Sequence, residues 1–138
     1  MINHMHKTNL AIKTDKRDQM VEITHQVQRV IDASGIRDGY VIVYCPHTTA
    51  GITINENADP DVVHDMLLQL DEMVPWRQPF YQHAEGNSTS HVKATMTGLS
   101  QTVIVENGRM ILGTWQGIYF CEYDGPRNRT AIVSVFAA

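Results

Sequence analysis

Two short polar segments gather the groups in this chain best suited to chemistry: Cys45-Pro-His-Thr-Thr-Ala-Gly51 and His83-Ala-Glu-Gly-Asn-Ser-Thr-Ser-His91. Imidazoles, a carboxylate, hydroxyls and glycines in such a mixture suit a reactive pocket better than a core. Neutral imidazole is the commonest ligand of zinc-like ions, and three nitrogens plus water leave one position open for a substrate, so His47, His83 and His91 are candidate metal ligands. Their spacing matches no short motif, and folding must bring His47 to the other two. Glu85, two residues after His83, is a candidate acid/base, with Gly86 beside it permitting a tight backbone approach. Thr48, Thr49, Asn87, Ser88 and Ser90 offer donors to phosphate oxygens, joined by free backbone amides if a short helix begins at Ser88. Arg127 and Arg129 would point to the same side of an alternating backbone and could clamp an anion. Trp115 and Gln116, set between glycines, place a ring able to stack on a planar heterocycle, although core or subunit packing would use the same ring.

Other polar groups have simpler explanations. His4, His6, His25 and His64 read as surface or hydrogen-bonded histidines. Glu56, Asp59, Asp61 and Asp65 cluster where a helix begins, and carboxylates there cap free amides and complement the macrodipole. Cys45 and Cys121 each sit in an apolar run and read as buried thiols rather than a disulfide framework, which implies a reducing compartment.

The elements that must position these groups follow from periodicity. Residues 6–13 alternate as an edge strand, and Met20, Ile23, Val27, Val30 and Ile31 recur at helical spacing from about Arg17 to Ala33, ending at Ser34-Gly35. Tyr40–Tyr44 and Ala50–Asn55 read as neighbouring strands either side of the Cys45-Pro46 break. Asp59 as N-cap and Pro60 at the first helical position open a second helix to about Met73, with Val62, Val63, Met66, Leu67 and Leu70 as its apolar stripe. Residues 75–90 show no period and read as a functional loop. Asn107-Gly108, between Thr102–Glu106 and Arg109–Leu112, predicts a type I′ hairpin. Two more strands, Gly117–Tyr123 and Thr130–Phe136, flank residues 124–129. The sum is an α+β fold in one domain over 1–138, with largely antiparallel, sandwich-like β-sheet layers and two main helices.

Composition narrows the function. The chain of 138 residues carries 11 Lys and Arg against 15 Asp and Glu, a formal charge of −4, so no basic field draws in nucleic acid or an anionic membrane. The N-terminus lacks an apolar signal-peptide core, and no apolar run is long enough to span a bilayer, which predicts a soluble cytoplasmic protein. P-loop, CxxC and GxSxG motifs are absent.

Three stretches in order, CPHTTAGITINENADPDV (45–62), HAEGNSTSHVKATMTG (83–98) and GRMILGTWQGIYFCEYDGPRNR (108–129), resemble the YjbQ family, whose name is secondary thiamine-phosphate synthase enzyme. The resemblance implies an α+β fold, a homotrimer, and a polar pocket in which His47, His83 and His91 hold a divalent ion, zinc above others. Glu85, Asn87 and Ser88 match its EGNS element, Trp115 and Gln116 its GTWQ element, and Arg127 and Arg129 its PR-x-R element. The named reaction joins a pyrimidine diphosphate to a thiazole phosphate with loss of pyrophosphate, whereas an all-imidazole site favours zinc-like ions over the Mg²⁺ that escorts diphosphates. Three readings follow: a metal-binding enzyme acting on a small phosphorylated or heterocyclic substrate, a metal-dependent hydrolase, and a non-catalytic trimer binding a ligand or metal.

Overall fold

Strand pairing divides the protein into two antiparallel sheets, in a computed structural model that describes residues 4–138. The strands are β1 (Met5–Lys13), β2 (Gln19–Glu22), β3 (Gly39–Tyr44), β4 (Ala50–Glu56), β5 (Ser100–Glu106), β6 (Arg109–Met110), β7 (Gln116–Glu122) and β8 (Asn128–Ala137). The helices are α1 (Thr24–Ser34), α2 (Pro60–Met73) and α3 (Ser88–Thr97). One sheet runs β1-β8-β3-β5-β6 and the other β2-β7-β4, with every pairing antiparallel.

Alternation explains the layers. Val41 and Val43 of β3, Val103 and Val105 of β5, and Ala131, Val133 and Val135 of β8 face Ile52, Ile118 and Phe120 of the smaller sheet in one core, which Val27, Val30 and Ile31 of α1 join. The opposite parity of β7, Tyr119 and Cys121, packs with Tyr123 against Ala94 of α3 and against Val63 and Leu70 of α2. Strand β7 is therefore buried on both faces, and its polar-apolar alternation disappears from the sequence. Both thiols are free and buried.

The α+β sandwich agrees with the sequence, with three local corrections. The first helix begins at Thr24 rather than Arg17, because Met20 and Val21 pair with Cys121 and Phe120 as a strand, and cross-strand pairing overrides their helical spacing. Among the described residues a third helix joins the two main ones, since residues 88–97 coil under the end of the long loop. Strands β3 and β4 are not neighbours: Pro46 cannot continue a ladder, Cys45 N–H turns to Leu99 O, and the chain crosses from one sheet to the other. The hairpin stands, with Asn107 at φ 53° and Gly108 at φ 78°, although β6 stops at Met110. Helix α2 is capped as the sequence implies, Asp59 accepting from Asp61 N–H. Among the described residues no helix is long and apolar enough to cross a membrane.

Candidate functional site at the end of the sandwich

Three connections meet at one end of the two sheets. Residues 45–49 cross from β3 to β4, residues 82–87 lead into α3, and residues 123–127 join β7 to β8. Together they line a cavity of about 470 Å³ with His47, Thr48, Thr49, His83, Glu85, Asn87, His91, Asp124, Arg127 and Arg129. A second hollow of about 450 Å³ shares His47, Thr48 and His91 and continues over Ala94, Gly98 and Leu99, so the site has a polar lobe and a less polar one.

The floor is an ion pair that ties the sheets together. Glu122 on β7 and Arg129 on β8 both point between the layers and are 0% and 7% exposed. The Arg129 guanidinium donates from Nε to Glu122 Oε1 at 2.8 Å, from Nη2 to Glu122 Oε2, and from Nη2 to Thr49 Oγ1 at 2.8 Å. Glu122 also accepts from the Thr14 hydroxyl at 2.8 Å and the Asp124 N–H at 3.0 Å. Burial alone raises the Glu122 carboxyl, but the Arg129 hydrogen bonds, with those of Asp124 N–H and Thr14, more than offset it and hold it below the usual carboxylate value.

Above that floor His47 is held by its neighbour strand. Its Nε2 accepts from Thr130 N–H at 3.0 Å, and its ring meets the edge of Phe120 at 6.4 Å. Burial lowers the His47 pKa and the positive charge of Arg129 lowers it further, outweighing the opposing effects of the Thr130 backbone and Glu122. His83 and His91 form an edge-to-face pair with centroids 5.5 Å apart, and Glu85 Oε1 stands 4.0 Å from His83 Nε2. The turn that carries Glu85 closes with Gly86 N–H donating to His83 O, and Gly86 sits at φ +74°, where an L side chain is strained.

Asn87 is the N-cap of α3 by position, yet its side chain serves the pocket. Its Nδ2 donates to Asp124 Oδ2 at 2.8 Å and Glu85 Oε2 at 3.4 Å. Those two carboxylates fix which end of the amide is nitrogen, leaving Oδ1 buried with no partner among the described residues. An unpaired buried acceptor costs about 1–3 kcal/mol, a cost that a donor from a ligand or water would remove.

A family described as UPF0047 protein YjbQ-like matches residues 8–138. The chain belongs to the YjbQ family. YugU of Bacillus subtilis is 59% identical over 126 residues, covering 91% of this chain and 96% of that protein. A UPF0047 protein of Methanocaldococcus jannaschii is 50% identical over 124 residues, covering 90% of this chain and 89% of its own length. Among solved structures, a YjbQ-family protein of Clostridium acetobutylicum superposes with TM-score 0.92 at 53% identity, covering 94% of this chain and 99% of that one. A Sulfolobus solfataricus protein described as YbjQ-like and of unknown function gives TM-score 0.92 at 28% identity, covering 97% and 98%.

In this YjbQ-family chain the fold brings most of the sequence-predicted site residues to one cavity, but not all. Ser88 begins α3 and does not line it. Trp115 is 62% exposed and borders a separate hollow with Glu56, Asp59 and Pro60, and Gln116 Oε1 accepts from Gly113 N–H. Gln116 and Glu122 are the two ends of β7, so six residues at roughly 3.3 Å each, about 20 Å, separate the Trp115 end from the pocket within one chain. The arginines differ too: Arg129 is committed to Glu122, and the more exposed Arg127 donates to Asp124 O and Oδ2. The three imidazoles line one cavity, with His83 beside His91, and among the described residues no three His, Cys, Asp or Glu side chains stand where they could share a metal ion. Glu122, Asp124 and Thr14 were not among the sequence candidates, yet they organise the site. The signal for Glu122 was a lone carboxylate in an otherwise apolar strand, which must find a partner when buried.

Proposed function

We propose that this YjbQ-family protein is an enzyme acting on a small phosphorylated or heterocyclic substrate in the cavity at the end of the sandwich, with Glu85 moving the proton. The observation that carries this reading is the meeting of three separate connections on one cavity holding titratable groups, a buried unpaired acceptor and an adjoining less polar lobe. Such a combination of convergent polar groups in a concave site is the usual form of a small-molecule site. Glu85 is the carboxylate there without a guanidinium partner, and His83 beside it can pass a proton on. Thr48, Thr49 and Asn87 orient the substrate. The nearest named activity is the secondary thiamine-phosphate synthesis that the family's name carries, and the protein would work as a cytoplasmic homotrimer, its subunits meeting through the apolar outer face of the larger sheet.

The test is turnover. Complementation of a thiamine-requiring strain ranks thiamine-phosphate synthesis against other chemistry, and a panel of phosphorylated and heterocyclic compounds searches for the main reaction. Glu85→Gln should lower kcat by about 10²–10⁴-fold with the fold intact. Unchanged turnover in that variant would remove Glu85 from the chemistry.

A second reading has its own observation. The His83 and His91 rings stand edge to face with Glu85 Oε1 4.0 Å from His83 Nε2; they do not share an ion position as they stand, and rotation of the exposed His83 and Glu85 side chains would have to close them on a zinc-like ion. Protein purified without chelator or affinity-tag metal should then carry an ion that His83→Ala loses, and equal metal content in both would sink that reading.

A further inference from the structure

Neutral imidazole has one lone pair, and in His47 it is already used. Nε2 accepts from Thr130 N–H at 3.0 Å, a bond between a side chain on the β3–β4 crossing and the backbone of β8. With Nε2 as acceptor, the proton of a neutral ring sits on Nδ1. A metal on Nδ1 would need that proton moved to Nε2, where it would face the Thr130 N–H, two donors opposed at 3.0 Å. The three-imidazole set therefore does not fit a resident ion at this corner.

What His47 offers instead is a donor. Arg129 lines the same cavity, and its hydrogen bonds to Glu122 and Thr49 come from Nε and Nη2, leaving Nη1 with no partner among the described residues. Thr48 adds a hydroxyl next to His47. Three donors lining one cavity match the oxygens of an anionic group.

We propose that His47 is a substrate-binding donor rather than a metal ligand, and that its Nδ1–H and the Arg129 Nη1 together bind a substrate oxyanion of the phosphate type. This rests on the reading of the cavity as a small-molecule site and assigns the roles within it. Charge-assisted donors of this kind discriminate strongly, because a bond to an anion is stronger than one between neutral groups. Arg127, paired with Asp124 at the rim, plays a lesser part than Arg129, in contrast to a clamp made of both.

The test uses the full-length protein and needs no turnover. In ¹⁵N-histidine-labelled wild type, His47 should show a bare Nε2 and a protonated Nδ1, and should keep both on addition of Zn²⁺. Inorganic phosphate and pyrophosphate should bind and perturb the Nδ1 signal, and His47→Ala should weaken phosphate binding by about tenfold or more. The same variant should change Zn²⁺ affinity by less than about twofold. A protonated Nε2, a zinc-induced loss of the Nδ1 proton, or wild type that ignores phosphate and pyrophosphate would overturn the proposal. The tautomer is read on wild type, so an unfolded variant does not blunt the test. A protein with the expected tautomer and phosphate binding but no turnover of any substrate would instead count against the enzyme reading alone.

Discussion

Glu122 shows what a single buried charge does in this protein. It takes four donated hydrogen bonds, from the Thr14 hydroxyl, Arg129 Nε, Arg129 Nη2 and Asp124 N–H, which tie three residues to the end of β7. Breaking a buried pair from one side leaves the other charge uncompensated, so Glu122→Gln should cost about 3–5 kcal/mol at neutral pH. The pH dependence has a definite sign. The carboxyl titrates lower in the folded protein than the 4.5 of an unperturbed glutamate, so the unfolded chain takes up the proton first as acid is added. Its stabilisation is full above about pH 5 and is lost as pH falls through the unfolded value towards the folded one. Urea titrations from pH 7 to pH 3 should show wild type losing stability across that window and Glu122→Gln losing less of it. A variant as stable as wild type, with the same acid slope, would mean that the pair contributes nothing to the fold.

At the scale of elements, the site depends on how closely α3 is laid against β4. Gly51 makes that approach possible: a Cβ there would meet Gly98 O at 2.5 Å and Thr97 Cγ2 at 3.0 Å, while Ile52 N–H donates to Gly98 O at 3.0 Å. Gly51→Ala should push the end of α3 away, with a cost of about 1–3 kcal/mol from overpacking and a wider lobe beside Ala94 and Gly98. Thermal melts check the cost, and an unchanged melting temperature would show that the contact yields freely. Helix α3 also explains what the sequence hid. The Asn107-Gly108 hairpin, the Asp59-Pro60 start of α2 and most strands could be read because each is signalled locally, by a turn requirement, a cap or an alternation. The start of α1 could not, since Met20 and Val21 satisfy a helical spacing and a strand alike, and only the pairing with β7 decides. Helix α3 has a buried side made of Thr89, Ser90, Lys93 and Ala94, so no apolar stripe announces it; Lys93 is 1% exposed because Asp18 and Asp71 accept from its ammonium at 2.6 and 3.0 Å. The pocket residues were legible as chemical types, but their convergence depends on the crossing from β3 to β4, which no local pattern encodes. Trp115 and Gln116 were grouped with them for a ring able to stack on a heterocycle and for their match to the GTWQ element, and they lie at the far end of β7.

The whole molecule has two unequal outer faces. The smaller sheet is covered by α2 and α3, whereas the larger sheet turns a bare face outward. On it Tyr40 stacks on Phe136 at 5.1 Å between centroids, Ile104 pairs beside Tyr40, and Tyr44 lies next to Ile132. Met5, Tyr40, Tyr44 and Ile104 are 52%, 41%, 42% and 62% exposed, so the patch crosses from β1 to β5 over four strands. Contiguous apolar surface of this kind is characteristic of an interface. Further copies of the same chain are the partners proposed for it, and a charge at its centre should then be costly, because a buried lysine without a counter-ion opposes association. Ile104 projects away from the core, so Ile104→Lys should leave the monomer folded and lower the assembled mass in light scattering from about three chains to one. Wild type that runs as a monomer, or a variant that keeps the wild-type mass, would show that this face is not where the subunits meet.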